Sequence, residues 1–152
     1  DSHAMVKEDV AYATCKEEVE NILADFRNRD IPVAVINEHL QGDLVKFYGV
    51  HGTDFFYWFY PSPCSHSKFG LEKINGIAKG IPFSVEELKI QSDKAAEALN
   101  VPIYGGDCVV SADGTLRIID FNDWPSFARC REEAGGKIAE CIYNRAKKQM
   151  KQ

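Results

Sequence analysis

The sequence predicts an α+β domain in which an antiparallel sheet is flanked by helices. Three observations carry that prediction. Apolar residues recur at helical spacing in three stretches, two of which open on capping signals. β-Branched and aromatic runs, bounded by glycine turns, lie between those stretches. The resulting order is helix, three strands, helix, two strands, helix, which suits helices packed on an antiparallel sheet.

Residues 16–29, KEEVENILADFRNR, carry Val19, Ile22, Leu23 and Phe26 on one helical stripe. Thr14 and Glu17 have the spacing of a capping box, and Asp30-Ile31-Pro32 ends the helix. Three strands are expected next, in VAVINEHL, DLVKFYGV and DFFYWFY, separated by Gln41-Gly42 and His51-Gly52-Thr53. Pro61 to Pro82 is rich in Pro, Ser and Gly, and a connection this long is usually functional or mobile. Ser84 with Glu87 caps a second helix, whose expected buried face is Val85, Leu88, Ala95, Ala96 and Leu99; Asn100 closes it. Asp113-Gly114 marks a tight hairpin. A last amphipathic helix runs from about Arg131 to Lys148, with Ala134, Ile138, Cys141, Ile142 and Ala146 on its apolar side.

The chain has 152 residues, about one domain, and its apolar content of 45% suits a globular core. Residues 1–5, DSHAM, have the composition of an expression-tag remnant, which leaves 6–152 as the folding segment. A formal net charge of −5 argues against nucleic acid as a partner. The absence of a long apolar run argues against a membrane partner, and a cytoplasmic setting is expected. Cys15, Cys64, Cys108, Cys130 and Cys141 show no metal spacing and are expected to be free, buried thiols. His39 and His51 are solitary and read as structural. The aromatic run FFYWFY reads as sheet packing.

The hairpin YGGDCVVSADGTLRIIDFNDWPSF, Tyr104 to Phe127, carries the chemistry. Strand alternation places Gly105, Asp107 and Val109 on one face of its first strand. It places Leu116, Ile118, Asp120 and Asn122 on one face of its second. A two-residue Asp113-Gly114 turn, with Ala112 paired to Thr115, sets Asp107 opposite Asp120. Shifting the turn by one residue keeps the two on one face, whereas a bulge or an odd-length loop breaks the parity. Two facing carboxylates repel unless a cation joins them, and with an Asn amide oxygen they form a hard donor set suited to Mg²⁺. A plain turn with Asp107 on a solvated face accounts for the same spacing.

Gly105-Gly106-Asp107, a short turn, and then Asp120-Phe121-Asn122-Asp123-Trp124-Pro125 resemble the C-terminal half of ATP-grasp enzymes. VINEHLQGDLVKFYGVHG resembles the segment that leads, in those enzymes, from the adenine-binding connection into a strand with a phosphate-contacting base. The likeness runs from about Ile31 to the last helix. It implies ATP and Mg²⁺ (or Mn²⁺) as cofactors, with Asp107, Asp120 and Asn122 as metal ligands. Lys46 would serve as the catalytic cation at the phosphates; Asn37, Glu38, Leu40 and Asp43 would border the adenine and ribose. In the Pro61 to Pro82 loop, Ser67, Lys68 and Lys73 would meet an anionic substrate. The family's N-terminal lobe, first lysine strand and glycine-rich phosphate loop have no counterpart here, so the chain is expected to be a fragment, inactive by itself, with dimerisation through the surface left by the missing lobe.

The resemblance implies an ATP-dependent carboxylate–amine (or thiol) ligase that acts through an acyl phosphate. A small-molecule kinase that phosphorylates an alcohol is the alternative within the family. A non-catalytic lobe for nucleotide binding or dimerisation is the alternative outside it.

Overall fold

The computed structural model describes residues 6–61 and 74–151. These residues form two compact units, one of 6–39 with 74–76 and the other of 40–61 with 77–151.

The smaller unit contains a 3₁₀ turn, Lys7–Asp9, and helix α1, Lys16–Asn28. The expected stripe Val19, Ile22, Leu23 and Phe26 is half-buried. The cap differs from the expected box. Cys15 is the N-cap, and the Thr14 backbone N–H and hydroxyl both donate to Glu18 Oε2, at 2.6 and 2.9 Å. Those two bonds, the backbone one first, lower the Glu18 pKa. At the other end Asp30 takes a left-handed conformation, φ 58°, and the Ile31 N–H closes on the Phe26 carbonyl at 2.9 Å. The stop is therefore a Schellman turn, with aspartate at the position that glycine usually fills.

The larger unit holds a four-stranded antiparallel sheet. Its strands are β1 (Asp43–Val50), β2 (Phe56–Phe59), β3 (Ile103–Val110) and β4 (Leu116–Asp123), in the order β2-β1-β3-β4. Helix α2, Val85–Leu99, connects β2 to β3, and α3, Arg131–Gln149, follows β4. The α+β expectation thus holds, with one strand fewer. VAVINEHL is irregular, and Val33, Val35 and Ile36 are exposed. β-Propensity is realised only where a strand gains a partner and burial. Both edges of β1 are already taken, by β2 and β3, so no hairpin through Gln41-Gly42 can form.

The sheet separates two apolar layers. On one face Val45, Phe47, Tyr104, Cys108, Val110 and Leu116 pack against Leu88 and Ala96 of α2. Ser84 accepts the Glu87 N–H at 3.1 Å, as the capping signal predicts. The buried stripe of α2 is Leu88, Ser92 and Ala96, whereas Leu99, on its last turn, is exposed. On the other face Val50, Phe55 and Ile103 pack against Phe127, Cys130, Ala134 and Cys141 around α3. The described cysteines are free, and burial pushes the Cys108 thiol up to about 11, so it behaves as an apolar filler. Cys15, by contrast, is exposed. Among the described residues, no helix is long and apolar enough to cross a membrane.

Asp43 ties β1 to the segment that enters α2. Its carboxylate is buried, and it accepts the N–H groups of Lys79 and Ile81, each at 2.8 Å. Burial works to raise its pKa, but the N–H groups of Lys79, Ile81 and Gly80 outweigh that and hold it below the ordinary 3.8. A depressed native pKa gives stability that is complete above the unfolded value and is lost as pH falls through the native one. Asp43→Asn turns an NH₂ donor toward one of those N–H groups. It should cost about 1–3 kcal/mol at neutral pH. In denaturant titrations the gap from wild type should narrow below pH 3.8. A constant gap across that range would assign the cost to packing.

Candidate functional site

The candidate site lies on the face of the sheet that α3 only partly covers. Its centre is one row of side chains across three strands. Lys46 on β1 pairs with Asp107 on β3, and Asp107 pairs with Asp120 on β4. One residue pair along, Tyr48 faces Gly105 and Gly105 faces Asn122. These residues, with Gly106, Asp123, Pro125 and Ser126, line a cleft of about 380 Å³.

The opposition of Asp107 and Asp120 arises differently from the sequence expectation. The hairpin loop has three residues, Ala112 to Gly114, closed by Ser111 N–H to Thr115 O at 2.9 Å. Gly114 provides the positive φ, 82°, that such a loop requires. An odd loop shifts the pairing so that Cys108 faces Ile118. Continued regularly, that register would put Ile119 opposite Asp107 and turn Asp120 toward the α2 core. A β-bulge between Asp107 and Cys108 on the ladder accommodates Ile119 as the extra residue and returns Asp120 to Asp107. Leu116 and Ile118 therefore face α2, opposite to Asp120 and Asn122, which corrects the single face expected for all four.

The chain then folds back over the cleft. Trp124 and Phe127 adopt left-handed backbone conformations, φ 44° and 48°, and Phe127 is buried under α3. Such conformations cost about 1–2 kcal/mol each for a residue with a Cβ. Pro125 is brought down over Gly105, where a Cβ would meet Tyr48 at 2.7 Å and Pro125 at 2.8 Å. Glycine at 105 is thus what lets the cleft have a floor beneath its proline edge.

Lys46 Nζ donates to both carboxylate oxygens of Asp107, at 3.0 Å each. Asn122 Nδ2 donates to Asp120 Oδ2 at 2.6 Å. Among the described residues, the cleft sets one lysine against three aspartates, Asp107, Asp120 and Asp123. Its donors are carboxylate and amide oxygens. That donor set fits a hard divalent cation such as Mg²⁺ or Mn²⁺. Among the described residues, no group of three or more His, Cys, Asp or Glu side chains is placed to hold a metal ion. A Mg²⁺ held by two carboxylates, with water and phosphate completing its shell, does not need one.

Of the residues singled out from sequence, Lys46, Asp107, Asp120 and Asn122 are brought together. Asp43 points from the opposite face of β1 and is engaged with the Lys79–Ile81 loop, away from the cleft. Leu40 is half-buried and does not line the cleft. Asn37 and Glu38 are exposed residues of the smaller unit. Ser67, Lys68 and Lys73 lie outside the described residues. Tyr48 and Ser126 were not foreseen, whereas strand alternation had already placed Gly105 on the face of Asp107. A second cavity, about 440 Å³, is lined by Val101, Ile103, Trp124, Ile142 and Arg145 among others. It shares Asp123 with the cleft but lacks the facing carboxylates.

Facing like charges destabilise a strand pair. Asp120→Asn keeps the size and an acceptor for Asn122 while removing one charge. In chelator it should raise the Tm by about 1–3 °C. A lower Tm in differential scanning calorimetry would show that Asp120 is itself a stabilising group.

Comparisons of the chain with protein-family models, with curated proteins and with solved structures give no match.

Proposed function

We propose that the cleft holds the Mg²⁺-bound phosphates of ATP, and that the chain is the nucleotide-binding part of an ATP-grasp enzyme of the carboxylate–amine (or thiol) ligase type. The supporting observation is the cross-strand row itself. Among the described residues, Lys46, Asp107 and Asp120 sit side by side in a cleft where aspartates outnumber cations. A purely structural sheet gains nothing from that excess; a divalent cation balances it.

The roles follow from position. Asp107, Asp120 and Asn122 supply oxygens to the cation. Lys46 presents its ammonium to phosphate oxygens, and Asp107 keeps it oriented until a ligand arrives. Bound Mg²⁺ supplies neutralisation of charge on the transferring phosphoryl group. Pro125 and Ser126 border the cleft and limit water on one side. The ligands of this site are a nucleotide and a small-molecule acid, in a cytoplasmic setting.

Calorimetric titration with ATP and Mg²⁺ tests the assignment. Wild type should release heat on binding. Asp120→Ala and Lys46→Met should each weaken binding by about tenfold or more, the loss of one charge-assisted contact. Omitting Mg²⁺ should affect wild type far more than Asp120→Ala. Equal heats for wild type and both variants, or none with wild type, would refute the nucleotide site.

A further inference from the structure

Helix α3 carries two apolar stripes, and the fold uses one of them. Ala134, Ile138 and Cys141 pack against the sheet. Gly135, Ala139 and Ile142 each follow one of these in sequence, about 100° further round the helix. Ala146 and Met150 continue this second stripe at a spacing of four, and Gly136 and Tyr143 widen it. All seven residues are exposed, Ile142 at 49%, Tyr143 at 64% and Met150 at 88%. Ile142 and Ala146, expected from sequence on the buried side, border the cavity of about 440 Å³ together with Trp124, itself 61% exposed. The second stripe therefore runs on into an apolar groove.

Gly135 and Gly136 lie in the helix interior, where glycine is less favourable than alanine. Among the described residues, a Cβ at either position would meet nothing within 4 Å, so the fold of one copy does not require them. They flatten the stripe instead, which suits the close approach of another helix. The charges of α3 are ordered along its length. Glu132 and Glu133 stand in the first turn, Lys147 and Lys148 in the last, and Lys151 just beyond. Each end suits the dipole of its own helix. Two copies laid antiparallel use the same ends again, because each acidic start then lies beside a basic end.

We propose that the second stripe of α3 is the interface of a symmetric dimer, packed antiparallel against the same stripe of another copy. A two-fold contact needs a self-complementary surface, and an apolar stripe with opposite charges at its ends is one. With the axis between Ala139 and Tyr143, Gly136 of one copy meets Ala146 of the other, and Glu132 meets Lys151. Ile142 and Tyr143 are the large residues nearest the axis, where burial is deepest. None of the cleft aspartates takes part, so the dimer stands or falls separately from the nucleotide assignment.

Sedimentation equilibrium of the full chain over a range of concentrations tests the dimer. Wild type should pass from monomer to dimer as concentration rises. Tyr143→Glu and Ala139→Arg should each weaken association by about tenfold or more, with an unchanged circular dichroism spectrum. Gly136→Ala separates the interface from helix propensity: it should raise the Tm of the dilute monomer and yet weaken the dimer. Glu132→Lys should also weaken association, and adding Lys151→Glu should recover it. A wild type that stays monomeric overturns the proposal, whether Tyr143 is open to iodination or shielded by another segment of its own chain. A dimer that Tyr143→Glu and Ala139→Arg leave intact overturns it as well, because the contact then lies elsewhere.

Discussion

The stacking of Phe121 on Tyr104 sets the phase of β4, and the candidate site depends on that phase. The two rings lie 5.1 Å apart at an interplanar angle of 22°, and both also contact Phe47. Burying large rings contributes several times the energy that a regular ladder saves at one residue. With Phe121 held in the α2 layer, Asp120 and Asn122 must point to the other face. The odd hairpin loop would place them wrongly, and the bulge at Ile119 absorbs the mismatch. Ile119 is left exposed as a result. Apolar packing on one side of the sheet thus positions carboxylates on the other.

That coupling explains what could be read in advance. Helix α2 was legible because Ser84 and Glu87 state the cap locally. Strands β1, β3 and β4 were legible because each alternates or carries a continuous apolar run. The facing of Asp107 and Asp120 was reached through a two-residue turn that the chain does not make. Loop and bulge each shift the register by one residue, and the two shifts cancel. Only one consequence escaped the cancellation, the facing of Leu116 and Ile118. The strand expected at VAVINEHL failed for a different reason. Its β-branched residues state a propensity, but an available sheet edge is a property of the assembled fold, and local sequence does not record it. Asp43 failed similarly: Gly42-Asp43 has turn composition, and nothing nearby announces the Lys79–Ile81 backbone that claims the carboxylate.

The site also costs stability in identifiable places. Two aspartates face each other, and two non-glycine residues, Trp124 and Phe127, hold left-handed backbone conformations. Each is offset by packing nearby. Phe127 meets Tyr48 at 5.2 Å and Phe55 at 6.3 Å between ring centres, and Lys46 shares the charge of Asp107. Strain gathered next to a charged cleft is a pattern of binding sites, where the surrounding structure over-determines an unfavourable local state.

Finally, the openness of the cleft follows from where α3 is anchored. Ile138, Ala134 and Cys141 pack against the Val50 and Ile103 end of the sheet, and Phe127 holds the helix start there. The middle of the same face carries Lys46, Asp107 and Asp120, which offer no apolar surface for a helix to cover. Extending α3 over them would bury charges at several kcal/mol apiece. The charged row therefore keeps α3 off the middle of that face. An apolar set at these positions would let the helix slide across, and the α+β layout would survive with no site at all.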